Sequence, residues 1–156
     1  MSRKGPRSVL IIEARFYEDI ADELARGAIE ELTAQKTDYE RLSVPGALEI
    51  PLALSLALAN GFVGRAGRHR GCIALGCVIR GETAHYDIVA RESAAGLYHL
   101  AVEHAVPIGN GIITCESREQ AWARASVEGR NKGRDAARAY LALMQLEQHF
   151  SSASRR

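Results

Sequence analysis

The feature that most constrains this chain is an alternation. Short, continuous apolar runs give way repeatedly to longer stretches in which apolar residues recur at helical spacing. CIALGCVI (72–79) is the clearest run. A strand without a polar face is covered on both sides, as in a parallel sheet. SVLIIEARF (8–16) reads as a second buried strand, breaking at a charged end. YERLSV (39–44) is a short strand stopped by the turn pair Pro45-Gly46, and IGNGIIT (108–114) is a fourth.

The intervening segments predict helices. From about 18 to 35, Ile20, Leu24, Ala28 and Leu32 recur every four positions with charge on the other faces. ALEIPLALSLALAN places Pro51 in a first helical turn and ends near Asn60-Gly61. A long helix over 86–105 has Ile88, Ala95 and Val102 among its core positions. Ser117 with Gln120 can form a capping box for SREQAWARAS. The last helix, about 134–150, takes Ala137, Leu141, Met144 and Leu146 as its apolar stripe. Strand–helix alternation implies right-handed βαβ crossovers and a three-layer α/β sandwich. The 156 residues suit a single domain, with 1–7 and 151–156 as flexible tails.

Bulk properties narrow the function. A net charge of +1 gives no electrostatic reason for a nucleic-acid or membrane partner. No apolar run reaches the roughly 18 residues of a membrane span. The start, MSRKGPRS, is basic, but SVLII is too short for a signal sequence. Cys72, Cys77 and Cys115 form no CxxC pair and read as buried hydrophobes of a reduced, cytoplasmic protein. His69, His99, His104 and His149 show no ligand spacing, so no metal is expected. The glycine- and arginine-rich GFVGRAGRHRG (61–71) reads as a solvated connection rather than an anion site.

In open α/β sheets, ligands sit beyond the carboxyl ends of the strands. Phe16 stands at one such end, where it either stacks on a planar ring or staples into the following helix. Gly46-Ala47-Leu48-Glu49 presents amides at a helix start, with Glu49 serving either a ligand or the helix dipole. Gly81 allows a sharp exit after Val78, Ile79 and Arg80. The amides near Glu82, with Thr83 and Arg80, then resemble a phosphate cradle. His85 at its rim is either a proton carrier near neutral pH or ordinary polar surface. Arg124 and Lys132 supply cations on later segments. The residues alone thus point to a site for a planar ring and a phosphate, without naming a reaction.

ARF (14–16), VPGALEIP (44–51), GCVIRGETAHYD (76–87) and GRNKG (129–133) stand in the order and spacing of the lumazine synthases, which the chain resembles over about 8–150. The resemblance implies a flavodoxin-like sandwich with a four-stranded parallel core. It also implies condensation of 5-amino-6-ribitylaminouracil with 3,4-dihydroxy-2-butanone 4-phosphate in riboflavin biosynthesis. No cofactor is implied. By the same resemblance Phe16 stacks on the pyrimidine, and Ala47, Leu48 and Glu49 hold ring and ribityl chain. Val78 and Ile79 line the ring pocket, Gly81, Glu82 and Thr83 cradle the phosphate, and His85 carries protons. Arg124 reaches the phosphate from an adjacent subunit, and Lys132 contacts the pyrimidine edge. Asn110 departs from the pattern, standing where many members have an aromatic that closes over the ring from the neighbouring chain.

The resemblance further implies a homo-oligomer with sites between subunits of a pentamer, and riboflavin synthase as a protein partner. VEGRNKGRD carries no insertion, so a sixty-subunit icosahedral shell is sterically permitted, although Pro6 disfavours an added N-terminal strand. A flavin- or lumazine-binding paralogue with weak catalysis is the alternative reading.

Overall fold

β1 (Ser8–Ala14) is buried along its whole length, the mark of a central strand. The computed structural model describes residues 8–155, so the expectations about a tail over 1–7 and about Pro6 lie outside the described residues. The remaining elements follow in strict alternation. They are α1 (Glu18–Ala34), β2 (Asp38–Val44), α2 (Glu49–Ala59), β3 (Gly71–Ile79), α3 (His85–His104), β4 (Ile108–Cys115), α4 (Arg118–Ala125) and α5 (Lys132–Ala153). The sheet has four strands in the order β2-β1-β3-β4, all parallel.

Side chains of successive strand residues point to opposite faces, and β1 and β3 divide accordingly between two cores. Val9, Ile11, Ile73 and Leu75 pack with Ile20, Leu24, Ala121, Ala137 and Tyr140 from α1, α4 and α5. Leu10, Ile12, Ala14, Cys72, Ala74 and Val78 pack with Ile50, Leu54, Val89 and Leu97 from α2 and α3. The unbroken apolar runs are therefore the cost of being covered twice, and the expected three-layer α/β sandwich is the architecture observed.

Two close approaches fix the α1/α5 layer. A Cβ on Gly133 would lie 1.9 Å from the Leu24 carbonyl oxygen, and one on Gly27 would lie 2.0 Å from Asn131 Oδ1. The start of α5, and Lys132 with it, is thereby seated directly on α1. Asn131 caps α5 from a left-handed conformation, φ 49°, its side chain accepting from the Arg134 N–H. Ser117 caps α4 by accepting from the Gln120 N–H, while Gln120 Oε1 accepts from the Glu116 N–H, so the expected capping box forms with its return bond one residue early.

Four expectations are corrected. The inward stripe of α3 is Val89, Ser93 and Leu97, whereas Ile88, Ala95 and Val102 face outward. On α5, Leu146 is exposed, and Tyr140 takes the central core position. The helix runs on to Ala153, because no glycine or proline interrupts it and Ser151 Oγ bonds Glu147 Oε1. The 61–71 connection is not wholly solvated: His69 is 2% exposed, with Nδ1 2.8 Å from Ser8 Oγ and Nε2 2.7 Å from Glu40 Oε2. Among the described residues no helix is long and apolar enough to cross a membrane.

Candidate active site

Parallel strands bring all four carboxyl ends to one edge, but not to one height. β1 pairs with β3 only as far as Glu13 opposite Leu75, while β3 continues beside β4 to Ile79 opposite Cys115. The β1-facing edge of the last β3 residues therefore has no strand partner, and main-chain groups around Val78 and Ile79 are left free to meet a ligand. Phe16 lies just past the end of β1. Its ring is 75% exposed and touches Tyr17 edge-on at a centroid distance of 4.9 Å. The staple alternative would bury the ring, so the structure leaves Phe16 open for stacking.

The turn after β3 leaves a row of backbone donors free. Arg80 N–H donates to the Cys115 carbonyl, 2.9 Å, closing the ladder. Beyond it, the N–H groups of Gly81, Glu82, Thr83 and Ala84 meet no acceptor among the described residues. They stand in a row at the N-terminus of a long helix, where backbone donors and the helix dipole both favour negative charge. Thr83 Oγ1 takes the His85 N–H at 3.3 Å and so braces the turn. Gly81 does not lie in the left-handed region, and a Cβ there would meet nothing within 4 Å. Its missing side chain serves access to the amides rather than the sharp exit expected. His85 is exposed as the first residue of α3.

A second set of amides opens α2. The N–H groups of Gly46, Ala47 and Leu48 find no acceptor among the described residues, and Glu49 folds back so that a Cβ on Gly46 would stand 3.2 Å from its Oε2. The Glu49 carboxylate thus sits over the positive end of its own helix, within reach of whatever the amides hold.

The other expected residues are held by neighbours of their own. The Arg80 guanidinium stands 2.9 Å from Glu116 Oε2, 3.7 Å from Asp87 Oδ1 and 4.4 Å above the Tyr86 ring, and so braces the turn. Arg124 lies in the last turn of α4 and Lys132 in the first of α5, in the layer opposite α3. Lys132 Nζ is 3.3 Å from Asp135 Oδ2. Asn110 is the third residue of β4, opposite Ala74, roughly 13 Å in strand rise short of Thr114. There it lines a groove of about 450 Å³ between α3 and the open edge of β4, with Asp87, Arg91, Ser93, Ile112 and Thr114. Asn110 thus stands on the α3 face of β4, while Arg124 and Lys132 stand in the layer on the other face of the sheet.

Burial holds the three thiols in their protonated, weakly nucleophilic form. Burial pushes Cys72 up to about 12 and, with help from neighbouring Cys115, Cys77 as well, and burial also raises Cys115. Among the described residues no cluster of three or more His, Cys, Asp or Glu could hold a metal ion. Sequence reasoning missed the charged network of Glu13, Arg15 and Arg41 just behind Phe16. Its signal was the single acid inside an otherwise apolar strand.

A family profile described as 6,7-dimethyl-8-ribityllumazine synthase matches residues 6–148. A 6,7-dimethyl-8-ribityllumazine synthase of Beijerinckia indica is 53% identical over 94% of this chain and 78% of its own length. Proteins named 6,7-dimethyl-8-ribityllumazine synthase 1 are similar too: that of Rhodopseudomonas palustris is 51% identical over 93% of this chain and 88% of its own, and that of Rhizobium meliloti 49% identical over 97% and 99%. With a profile spanning nearly the whole sequence and relatives at about half identity, the chain belongs to the 6,7-dimethyl-8-ribityllumazine synthase family.

Proposed function

We propose that this enzyme condenses 5-amino-6-(D-ribitylamino)uracil with 3,4-dihydroxy-2-butanone 4-phosphate to 6,7-dimethyl-8-ribityllumazine, releasing phosphate and water. The observation that carries the reading is the pairing, on one sheet edge, of an unpacked aromatic at Phe16 with the row of free amides at Gly81–Ala84. One suits a planar heterocycle and the other a phosphate.

The chemistry asks little of the protein covalently, because the nucleophile is the amine of the pyrimidine. Amine attack on the ketone, loss of water to an imine, departure of phosphate, and ring closure by the ribityl-bearing amine with loss of a second water need two reactants held in register. Such orientation is worth up to roughly 7–11 kcal/mol of barrier. Phe16 holds the ring by stacking, the Gly46–Leu48 amides and Glu49 hold its polar edge and ribityl chain, and free main-chain groups near Val78 and Ile79 complete the slot. The Gly81–Thr83 amides bear the charge of the departing phosphate. His85, exposed beside them, moves protons on and off the carbinol and the leaving group.

Asn110, Arg124 and Lys132 act from a second copy. Arg124 and Lys132 occupy the layer opposite α3, and Asn110 lines its own groove, so a neighbouring protomer supplies them to the phosphate and ring. The outward faces of α2 and α3 support such assembly, since Leu52, Leu56, Ile88, Tyr98 and Val102 are all exposed there. A homopentamer is the unit of this reading and a sixty-subunit shell its larger form, which light scattering distinguishes. A cytoplasmic setting, suggested by the free cysteines, completes it. Mixing the purified protein with both substrates and following lumazine absorption and fluorescence tests the activity. A protein that binds lumazine without forming it would be a binding paralogue instead.

A further inference from the structure

We infer that Glu13 is a positioning residue for the pyrimidine half of the site: by clamping Arg15 and Arg41 it sets the heights at which β1 and β2 present Phe16 and the Gly46–Glu49 turn. The inference rests on the proposed condensation.

Glu13 is 2% exposed, the one acid in a strand otherwise covered on both faces. A carboxylate so deep persists as a charge only when paired. Its partners are complete. Arg41 Nε stands 2.7 Å from Oε2 and its second nitrogen 2.9 Å from Oε1, a two-pronged pair, while Arg15 reaches Oε1 at 2.9 Å. Arg15 continues to Asp22 Oδ1 on α1, at 2.5 Å. One carboxylate thus ties β1, β2 and, through Arg15, the first helix.

The tie matters because few side chains of β2 anchor it otherwise, Glu40 through His69 near its amino end and half-buried Val44 at its carboxyl end. None of its residues, Asp38 to Val44, is buried. A strand without a buried face has weakly specified pairing, and a one-residue slip would shift it about 3.3 Å and turn every side chain over. Arg41 lies opposite Ile11, two residues below Glu13, so the forked pair forms only in the observed register. Four residues beyond Arg41 begins the Pro45–Glu49 turn. On the other side, Phe16 directly follows Arg15 and is too exposed to be oriented by its own packing. The backbone that aims it is held by Arg15 before it and half-buried Tyr17 after it. The phosphate nest, carried by β3 and α3, shares none of these contacts.

The test is steady-state kinetics of assembled Glu13→Gln and Arg41→Gln, varying each substrate in turn. Because ångström-scale misplacement is costly, KM for the pyrimidine rises about tenfold, that for the ketone phosphate stays within about twofold, and kcat falls less than KM rises. The double variant adds little to the larger single effect, as expected of one coupled unit. Unchanged KM values, or a parallel rise in both, overturn the inference, including when the melting temperature alone falls. Should Glu13→Gln fail to assemble, Arg41→Gln decides, since it alters a half-exposed partner and leaves Glu13 paired with Arg15. Wild-type protein that forms no lumazine sinks the functional reading instead, so the two failures are distinguishable.

Discussion

Phe16→Ala separates folding from function more cleanly than any other change in the site. With the ring 75% exposed, about a quarter of its surface is covered by protein. Taking a Phe side chain as about 200 Å², that is ~50 Å² of burial, or at most about 1 kcal/mol. For a chain of this length the melting temperature then drops by no more than about 4 °C. A pyrimidine stacked on the open face covers about half of the remaining ~150 Å², worth about 2 kcal/mol. That predicts a roughly thirtyfold rise in KM for the ribitylaminopyrimidine. KM for the butanone phosphate, which the proposal assigns to the β3–α3 turn, stays put. Varying the pyrimidine at saturating ketone phosphate, with a thermal melt in parallel, measures both. A pyrimidine KM within about threefold of wild type would refute the stacking role, since that is under 1 kcal/mol. A melting temperature lowered by more than about 8 °C would show that the ring is a packing residue after all.

His85→Ala should slow turnover by about 10²–10⁴-fold without abolishing it, because orientation and the phosphate nest remain; turnover too slow to detect from an intact assembly would contradict this. His69→Ala removes the buried link between Ser8 and Glu40 at the amino ends of the strands. It should destabilise the fold by about 3 kcal/mol, or roughly 6–12 °C, leaving kcat/KM unchanged. Thiol titration should find Cys72 and Cys77 slow in the folded protein and fast in denaturant at pH 8. Their folded values, about 12, lie above the ordinary 9.0, so the unfolded chain loses these protons first. The stability they protect is whole below pH 9 and declines as pH climbs from there toward 12, which denaturant melts across that window would follow.

Much of the candidate site was legible before folding because its residues cluster at strand ends, where an apolar run stops and glycine, hydroxyl and imidazole groups begin. The GET segment after CIALGCVI and the PGALE segment after YERLSV are of this kind. The role of Arg80 was not readable, since its partners Glu116 and Asp87 come from a neighbouring strand end and from the next helix. Nor was the direction of α3. It carries apolar residues on two sides, and periodicity alone gives Ile88, Ala95 and Val102 as good a claim to the core as Val89 and Leu97.

Local pattern by itself determined the number of strands, their parallel sense and the sheet edge that carries most of the candidate site residues, because these follow from periodicity and from turn chemistry within a few residues. Tertiary structure alone decided which helix faces meet the sheet and that His69 is buried. It also decided that one carboxylate joins Arg15 to Arg41, and that Asn110 stands on the α3 face of β4 with Arg124 and Lys132 in the opposite layer. Those outcomes depend on strand order and register, which bring together residues far apart along the chain, and no local spacing encodes such distances.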